Sequence, residues 1–298
     1  MAYHVWYLFY ASIAIVSTSM SNWLSMWTML ELSSWVMIIL TMPTYSIIYD
    51  VMFKMYLMLS MSSMMLVLLW LVFKTKDEWL LSILAFKMGL PPLHWWVGWI
   101  MKNMQWKTMW WFTTVHKLIP MIITTCIISS MLIFWWCIIC FLWSSMSFWL
   151  STSYFLILFY SSCIHSNWLW LTTCNMNTFL LYFFFYTSVM YLIFTEIKNS
   201  EHWTYDINLT WMMIILIGIP TSTVFFLKFI TMAVYVSAMS LLMWTLMLIN
   251  ILTIFPYTRM VWNTYCSPTY NFNKYPNKPA LRTYMLTLMQ YTLWPCLL

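Results

Sequence analysis

The sequence predicts an all-α, polytopic transmembrane bundle of about eleven helices, on three observations. Hydrophobic residues fill 63% of the 298 positions. Charged residues fill only 7%, where a soluble domain carries roughly a quarter. Apolar stretches near 20 residues recur from end to end, each long enough as a helix to cross about 30 Å of hydrocarbon. A chain with so few charges cannot clothe a water-soluble fold of this length. A membrane β-barrel would alternate apolar and polar residues, whereas segments such as Trp211 to Ile219 are apolar on every side. No long polar linker divides the chain, which predicts a single transmembrane domain over 1–298.

The spans follow in order. The first, 4–20, carries no formal charge, and the second, 22–42, carries Glu31 and stops at Pro43. The third, 47–73, contains Ser60, Ser62 and Ser63, expected to hydrogen-bond between helices, and closes at the polar run Lys74 to Glu78. The fourth, 78–98, holds Lys87 ahead of Gly89, Pro91 and Pro92, which interrupt it. After the break Lys102 to Lys107 comes 106–125, with His116 and Lys117. Next are 127–144, 148–168 with His165, and the uncharged 169–195. Beyond the polar break Glu196 to Asp206 lies 207–236, which carries Lys228 and is interrupted at Gly218-Ile219-Pro220. Span 237–257 follows, then Trp262 to Pro279, rich in Asn, Tyr and Pro and expected outside the bilayer, and finally 280–297. With only three Gly, close GxxxG contacts do not organise the bundle, so packing rests on Ser, Thr and Met.

Composition also excludes several functions. The net charge of +6 is spread over helix ends and loops with a thin concentration at Lys274, Lys278 and Arg282, which argues against a nucleic-acid partner and leaves lipids and other membrane proteins. Of the seven Cys, Cys137 and Cys140 stand with two residues between them inside an apolar segment and lack nearby His or acidic partners for a metal, so the Cys in apolar segments read as small buried hydrophobes. There is no Gly-rich phosphate loop, no iron-sulfur Cys cluster and no haem-type His spacing, so no cofactor and no metal is expected on this chain. No Lys or Arg precedes Lys54, so no cleaved targeting peptide is expected. Thirty Met and 23 Trp fit an organellar code that reads extra codons as those two residues.

Most charged side chains lie within a turn or two of a span end, where snorkelling keeps them wet. Glu31, Lys87, Lys117 and Lys228 do not. Four charges within spans cost on the order of 10 kcal/mol of insertion free energy, so a use is expected for them. One reading is a buried Glu31–lysine pair that holds helices in register, which leaves two lysines unexplained. The other is a relay: desolvation favours the neutral amine of a buried lysine, so each lysine can release and regain a proton as neighbouring charges change. His165 is either a satisfied core residue or a bridge between lysines. His116 directly precedes Lys117, so the two side chains point to different sides, and His94 and His4 are weaker candidates.

The segment Phe86-Lys-Met-Gly-Leu-Pro-Pro-Leu-His-Trp-Trp96 resembles the Lys-x-Gly-x-x-Pro-x-His-x-Trp motif of the NADH dehydrogenase subunit 2 family, at Lys87, Gly89, Pro92, His94 and Trp96. Thr114-Val-His-Lys-Leu-Ile-Pro120 is similar to the family's second lysine motif, with His116 where Gln is usual. Leu30-Glu-Leu-Ser-Ser-Trp35, Tyr160-Ser-Ser-Cys-Ile-His165 and Gly218-Ile-Pro-Thr-Ser-Thr-Val-Phe-Phe-Leu-Lys228 resemble its glutamate helix, its Tyr-Ser-Ser-x-x-His motif and its Gly-Leu-Pro-Pro segment. The chain departs from the pattern at Val97-Gly-Trp99, at Phe155 and Leu156, at Thr221 and at Leu227.

The resemblance implies an antiporter-like fold with broken helices, in the shortened eleven-helix form of animals. It implies a core membrane-arm subunit of proton-pumping NADH:ubiquinone oxidoreductase, complex I, in the mitochondrial inner membrane among other hydrophobic subunits. Glu31 and Lys87 would be a coupled pair, Lys117 the central relay, His165 a connecting group and Lys228 the terminal site. NADH, FMN, iron-sulfur clusters and ubiquinone would be bound by other subunits. A free-standing cation/proton antiporter is the alternative.

Overall fold

The computed structural model describes residues 2–20, 22–42, 48–73, 77–101, 103–127, 130–151, 153–173, 175–199, 207–218, 222–236 and 240–265. All regular structure among them is helical: α1 (Ala2–Ser19), α2 (Trp23–Thr41), α3 (Ile48–Phe73), α4 (Asp77–Met88), α5 (Trp95–Met101), α6 (Trp106–Thr113), a 3-10 turn η1 (Val115–Lys117), α7 (Leu118–Ile127), α8 (Ser130–Leu150), α9 (Tyr154–Thr172), α10 (Met176–Asn199), α11 (Ile207–Ile217), α12 (Thr223–Val236) and α13 (Ser240–Tyr265). The stretches Trp23–Thr41, Tyr49–Leu71, Leu132–Leu150, Met176–Ile197 and Trp244–Trp262 are each long and apolar enough to cross a membrane unaided. The protein is a multi-pass, all-α membrane bundle.

Three expected spans are each built from shorter pieces. Span 78–98 is α4 and α5, span 106–125 is α6, η1 and α7, and span 207–236 is α11 and α12. Gly89 breaks the first, with a φ of 67° that favours glycine. The second break was not expected. Pro120, in the first turn of α7, offers no N–H, and its ring would clash with the carbonyl four residues back in a continuous helix. The chain tightens there into η1, and Thr114 Oγ1 donates to the Trp110 carbonyl at 2.6 Å where α6 ends. Gly218, with a φ of 80°, terminates α11. The Pro220 interruption and the span 280–297 lie outside the described residues.

Two boundaries are corrected. The turn expected between 144 and 148 falls instead between α8 and α9, because Ser144, Ser145 and Ser147 donate to Phe141, Leu142 and Trp143 carbonyls at 3.0, 2.9 and 2.9 Å and let the helix run on. α13 continues through Pro256 to Tyr265, past the expected external start at Trp262. The interhelical role expected of Ser60, Ser62 and Ser63 is also corrected. Their hydroxyls donate to Leu57, Leu59 and Ser60 carbonyls of their own helix, the nearest acceptors in an apolar medium. The bond across helices is made by Trp27 Nε1 to the Ser63 carbonyl at 3.1 Å.

The chain forms two compact units, Met1–Ser147 with Thr152–Cys174, and Phe148–Ser151 with Asn175–Leu298. In the first, α1 packs on α2, α2 on α3 and α3 on α4, and α7 returns against α1, α2 and α4. Met37, Met55, Leu84, Ile119 and Met121 are buried in its core. In the second, α11 packs on α10 and α13, and α12 on α10 and α13, around Val189, Ile193, Met213, Leu216 and Leu227. Outward faces stay apolar, as at Leu8, Leu24, Phe53, Leu68, Trp244 and Leu248, which suits a lipid solvent and not water.

A Cβ at Gly89 would stand 2.3 Å from Val97 Cγ2, whereas one at Gly98 meets only Leu156 Cδ2 at 3.6 Å. Gly89→Ala is therefore expected to lower thermal stability in detergent by about 1–3 kcal/mol. Gly98→Ala, inside α5, is expected to leave it unchanged or slightly raised, by up to about 1 kcal/mol. Equal melting of the two variants would contradict this account of the break.

Candidate functional site

Lys87 occupies the last turn of α4, where the carbonyl end of a helix dipole favours a cation. Its side chain is fully buried, and its Nζ lies 3.7 Å from Oε2 of Glu31 on α2. That separation is an ion pair without a hydrogen bond, and neither atom has another hydrogen-bond partner. At an effective dielectric near 20, two charges about 4 Å apart attract by about 4 kcal/mol, comparable to the roughly 3 kcal/mol of burying one charge at mid-membrane. Glu31 thus offsets the burial of Lys87 while leaving its N–H groups available.

Lys117 ends η1 and reaches α9. Its Nζ donates to Ser166 Oγ at 2.7 Å and to Ser162 Oγ and the Ser162 carbonyl, both at 3.2 Å. Ser166 in turn donates to the Ser162 carbonyl, which ties the acceptors together. Ser162 and Ser166 share a face of α9 through their i, i+4 spacing, and His165 sits between them in sequence, buried. His116, also in η1, points the other way, as its position beside Lys117 predicts: Nδ1 lies 2.8 Å from the Tyr10 hydroxyl of α1.

The helix break after Lys87 is braced by thiols. Cys163 of α9 donates to the Gly89 carbonyl at 3.7 Å, and Cys140 of α8 to the Pro91 carbonyl at 2.8 Å. These cysteines are buried as expected, yet they also satisfy carbonyls that the broken helix frees. His94 bonds the Tyr160 hydroxyl through Nε2 at 3.2 Å and stacks on Phe159, a tie between the break and α9. His4 is exposed on α1.

In the second unit Lys228, on α12, is buried and donates to Asn250 Oδ1 of α13 at 3.1 Å and to the Ile217 carbonyl at 3.4 Å. The latter is the last residue of α11, so this lysine too meets the carbonyl end of a broken helix. Gly218 is favoured there by its positive φ and not by this approach, since a Cβ would make only ordinary contact, 3.6 Å from Lys228 Nζ.

No family profile matches the chain. In sequence it is 28% identical over 200 residues to NADH-ubiquinone oxidoreductase chain 2 of Locusta migratoria, across 62% of this chain and 58% of that protein. The chain resembles that subunit. It spans less than two thirds of the length of this relative.

Solved structures agree on the fold. A chain of respiratory complex I from Thermus thermophilus matches with a TM-score of 0.81 at 14% identity, covering 98% of this chain and 77% of that one. A chain of the membrane-bound sulfane sulfur reductase, an archaeal respiratory membrane complex, gives 0.75 at 11% identity over 92% and 69%. A chain of the Mrp complex from Dietzia sp. DQ12-45-1b gives 0.66 at 13% identity over 80% and 56%. The fold is of the antiporter-like type with broken helices.

Of the residues singled out from sequence, the first unit brings Glu31 to Lys87, and sets Lys117 on the two serines that flank His165. Lys228 has its own acceptors in the second unit. Ser166, Asn250 and Tyr10 were not singled out as site partners, whereas Ser162 stands in the Tyr160-to-His165 motif read from sequence and accepts from Lys117. Asn250 had a signal, as a carboxamide in an otherwise apolar span; Tyr10 had none.

A double-mutant cycle on Glu31→Gln and Lys87→Met, read by thermal stability, is expected to give a coupling of about 1 kcal/mol or more. Glu31→Gln alone should cost more than the double variant, because it leaves a buried lysine without its counter-charge. Additive single effects would remove the pair from the site.

Proposed function

We propose that this chain is a core membrane-arm subunit of proton-pumping NADH:ubiquinone oxidoreductase, working in the mitochondrial inner membrane beside other hydrophobic complex I subunits. The observation that carries this reading is the set of buried lysines at helix breaks, each held by groups that can exchange hydrogen bonds. Lys87 has a carboxylate at ion-pair distance, Lys117 has two hydroxyls, and Lys228 has a carboxamide and a helix-end carbonyl. The locust relative, named as a complex I chain, supports membership of that assembly, and the Met- and Trp-rich composition supports an organellar origin.

In this reading the chain moves protons and does no redox chemistry. NADH, FMN, iron-sulfur clusters and ubiquinone act in partner subunits, whose electron transfer drives the relay. A proton on Lys87 is stabilised by Glu31, so any change in the charge of Glu31 alters how readily Lys87 releases it. Lys117 can shed a proton because its hydroxyl partners both donate and accept, so they solvate amine and ammonium alike. His165 is the connecting group beside those hydroxyls, and Lys228 the terminal site. Pairing for helix register alone would serve Glu31 and Lys87 but gives no reason for Lys117 or Lys228.

Lys117→Met keeps side-chain length and removes the charge. In the assembled complex it is expected to lower NADH-driven quinone reduction and coupled proton pumping at least tenfold while the subunit still assembles. Unchanged pumping would sink the relay. Purification in mild detergent with mass spectrometry tests membership: co-migration with a flavin and iron-sulfur assembly is expected. A chain that migrates alone and exchanges cations for protons would point to a free-standing antiporter instead.

A further inference from the structure

The stretch Trp244–Trp262 of α13, long and apolar enough to cross a membrane, contains one carboxamide, Asn250. Around it Leu246, Ile249 and Thr253 turn into the second unit, while Met247, Leu248, Ile251 and Ile254 turn outward. Asn250 stands half-buried on the border between those faces, and its Oδ1 accepts from Lys228 Nζ of α12 at 3.1 Å. Its backbone carbonyl is occupied separately, by Thr253 Oγ1 at 2.7 Å. A carboxamide in the middle of an apolar span costs free energy that an aliphatic side chain would not, so its bond to a buried lysine calls for a use.

We infer that Asn250 is the positioning residue of the Lys228 site: its carboxamide holds the ammonium through Oδ1 and, once the proton has left, turns about its Cβ–Cγ bond to hold the neutral amine through Nδ2–H. The inference rests on the reading of Lys228 as a site that loads and unloads a proton. An ammonium carries only N–H donors, whereas a neutral amine also has a lone pair that needs a donor. Lys228 is buried, which keeps bulk water from supplying one. The Ile217 carbonyl, at 3.4 Å, can meet only the N–H groups. The carboxamide has an acceptor and two donors in one plane, and a half-turn exchanges them without moving a helix. It would do for Lys228 what the two hydroxyls do for Lys117.

Neutrality matters as much as the donor. A carboxylate at this position would hold the proton on Lys228 by charge, as Glu31 does for Lys87 at 3.7 Å. A neutral partner leaves release to the other charges of the relay. No covalent bond of Asn250 changes: the one bond made and broken here is an N–H bond of Lys228, which the relay loads and empties. A contact that merely fastens α12 to α13 needs an acceptor and no donor, so a carboxylate would serve that purpose equally well.

The test uses the assembled complex in proteoliposomes, with NADH-driven proton pumping and the amount of assembled complex read together for Asn250→Asp, Asn250→Gln, Lys228→Met and the parent. Aspartate copies the shape and the acceptor oxygen of asparagine but exchanges the amide donor for a charge, whereas glutamine keeps donor and acceptor. Asn250→Asp is expected to assemble like the parent and to pump at least fivefold more slowly, and Asn250→Gln to retain at least half the parental rate. Parental pumping by Asn250→Asp, with Lys228→Met impaired, overturns the inference and leaves Lys228 in the relay. Equal impairment of Asn250→Asp and Asn250→Gln also overturns it, since a donor would then make no difference. Parental pumping by Lys228→Met rejects the relay reading of that lysine and the inference with it. Should Asn250→Asp fail to assemble, Asn250→Met decides: it fills the space with neither donor nor acceptor, so parental pumping overturns the inference and a fivefold loss in assembled complex sustains it.

Discussion

Hydrocarbon offers no partner to a backbone carbonyl, and the arrangement of this protein depends on that constraint. Where α4 and α11 end at their breaks, carbonyls are freed, and side chains from other helices come to them. The Gly89 and Pro91 carbonyls receive thiols, the Ile217 carbonyl receives an ammonium, and Arg259 donates to the Trp149 and Ser151 carbonyls at the end of α8. A helix break is therefore also a place where a cation is welcome. Lysine placement and helix interruption are two consequences of one electrostatic requirement.

The same constraint separates structural polar groups from working ones. Most Ser and Thr hydroxyls in the described helices turn back to carbonyls three or four residues earlier and need nothing further. Ser162 and Ser166 do so as well, yet they also accept from Lys117. Their hydroxyls therefore join a local backbone bond to a long-range one, which allows a lysine to change charge without leaving its partners. Glu31 and Lys87 differ, being held by charge without directional bonding.

Much of this was legible from residues alone. Glycine and proline marked the first break, and the four charges within apolar spans marked the candidate site before any geometry was known. Pro120 was as informative as Pro91, yet it lay inside the expected span 106–125 without being read as a break; the structure puts it in the first turn of α7, just after the interruption at η1. The α8 to α9 turn was misplaced because serines read as a polar break when their hydroxyls are in fact satisfied within the helix. Tyr10 and Ser166 were passed over because a single hydroxyl in an apolar span has no feature that distinguishes a functional partner from a packed one.

Composition and hydropathy are properties that add along a chain, so the sequence by itself determined the solvent, the helical class and which charges lie within membrane spans. It could not say which atoms those charges meet. These helices are apolar on nearly every face and carry little periodic signal for the side that turns inward. The decisive contacts also join distant residues, 45 positions apart from Lys117 to Ser162 and 106 apart from Tyr10 to His116. Only packing of the bundle brings such partners together, because the need to pair each buried polar atom is local in space and not in sequence.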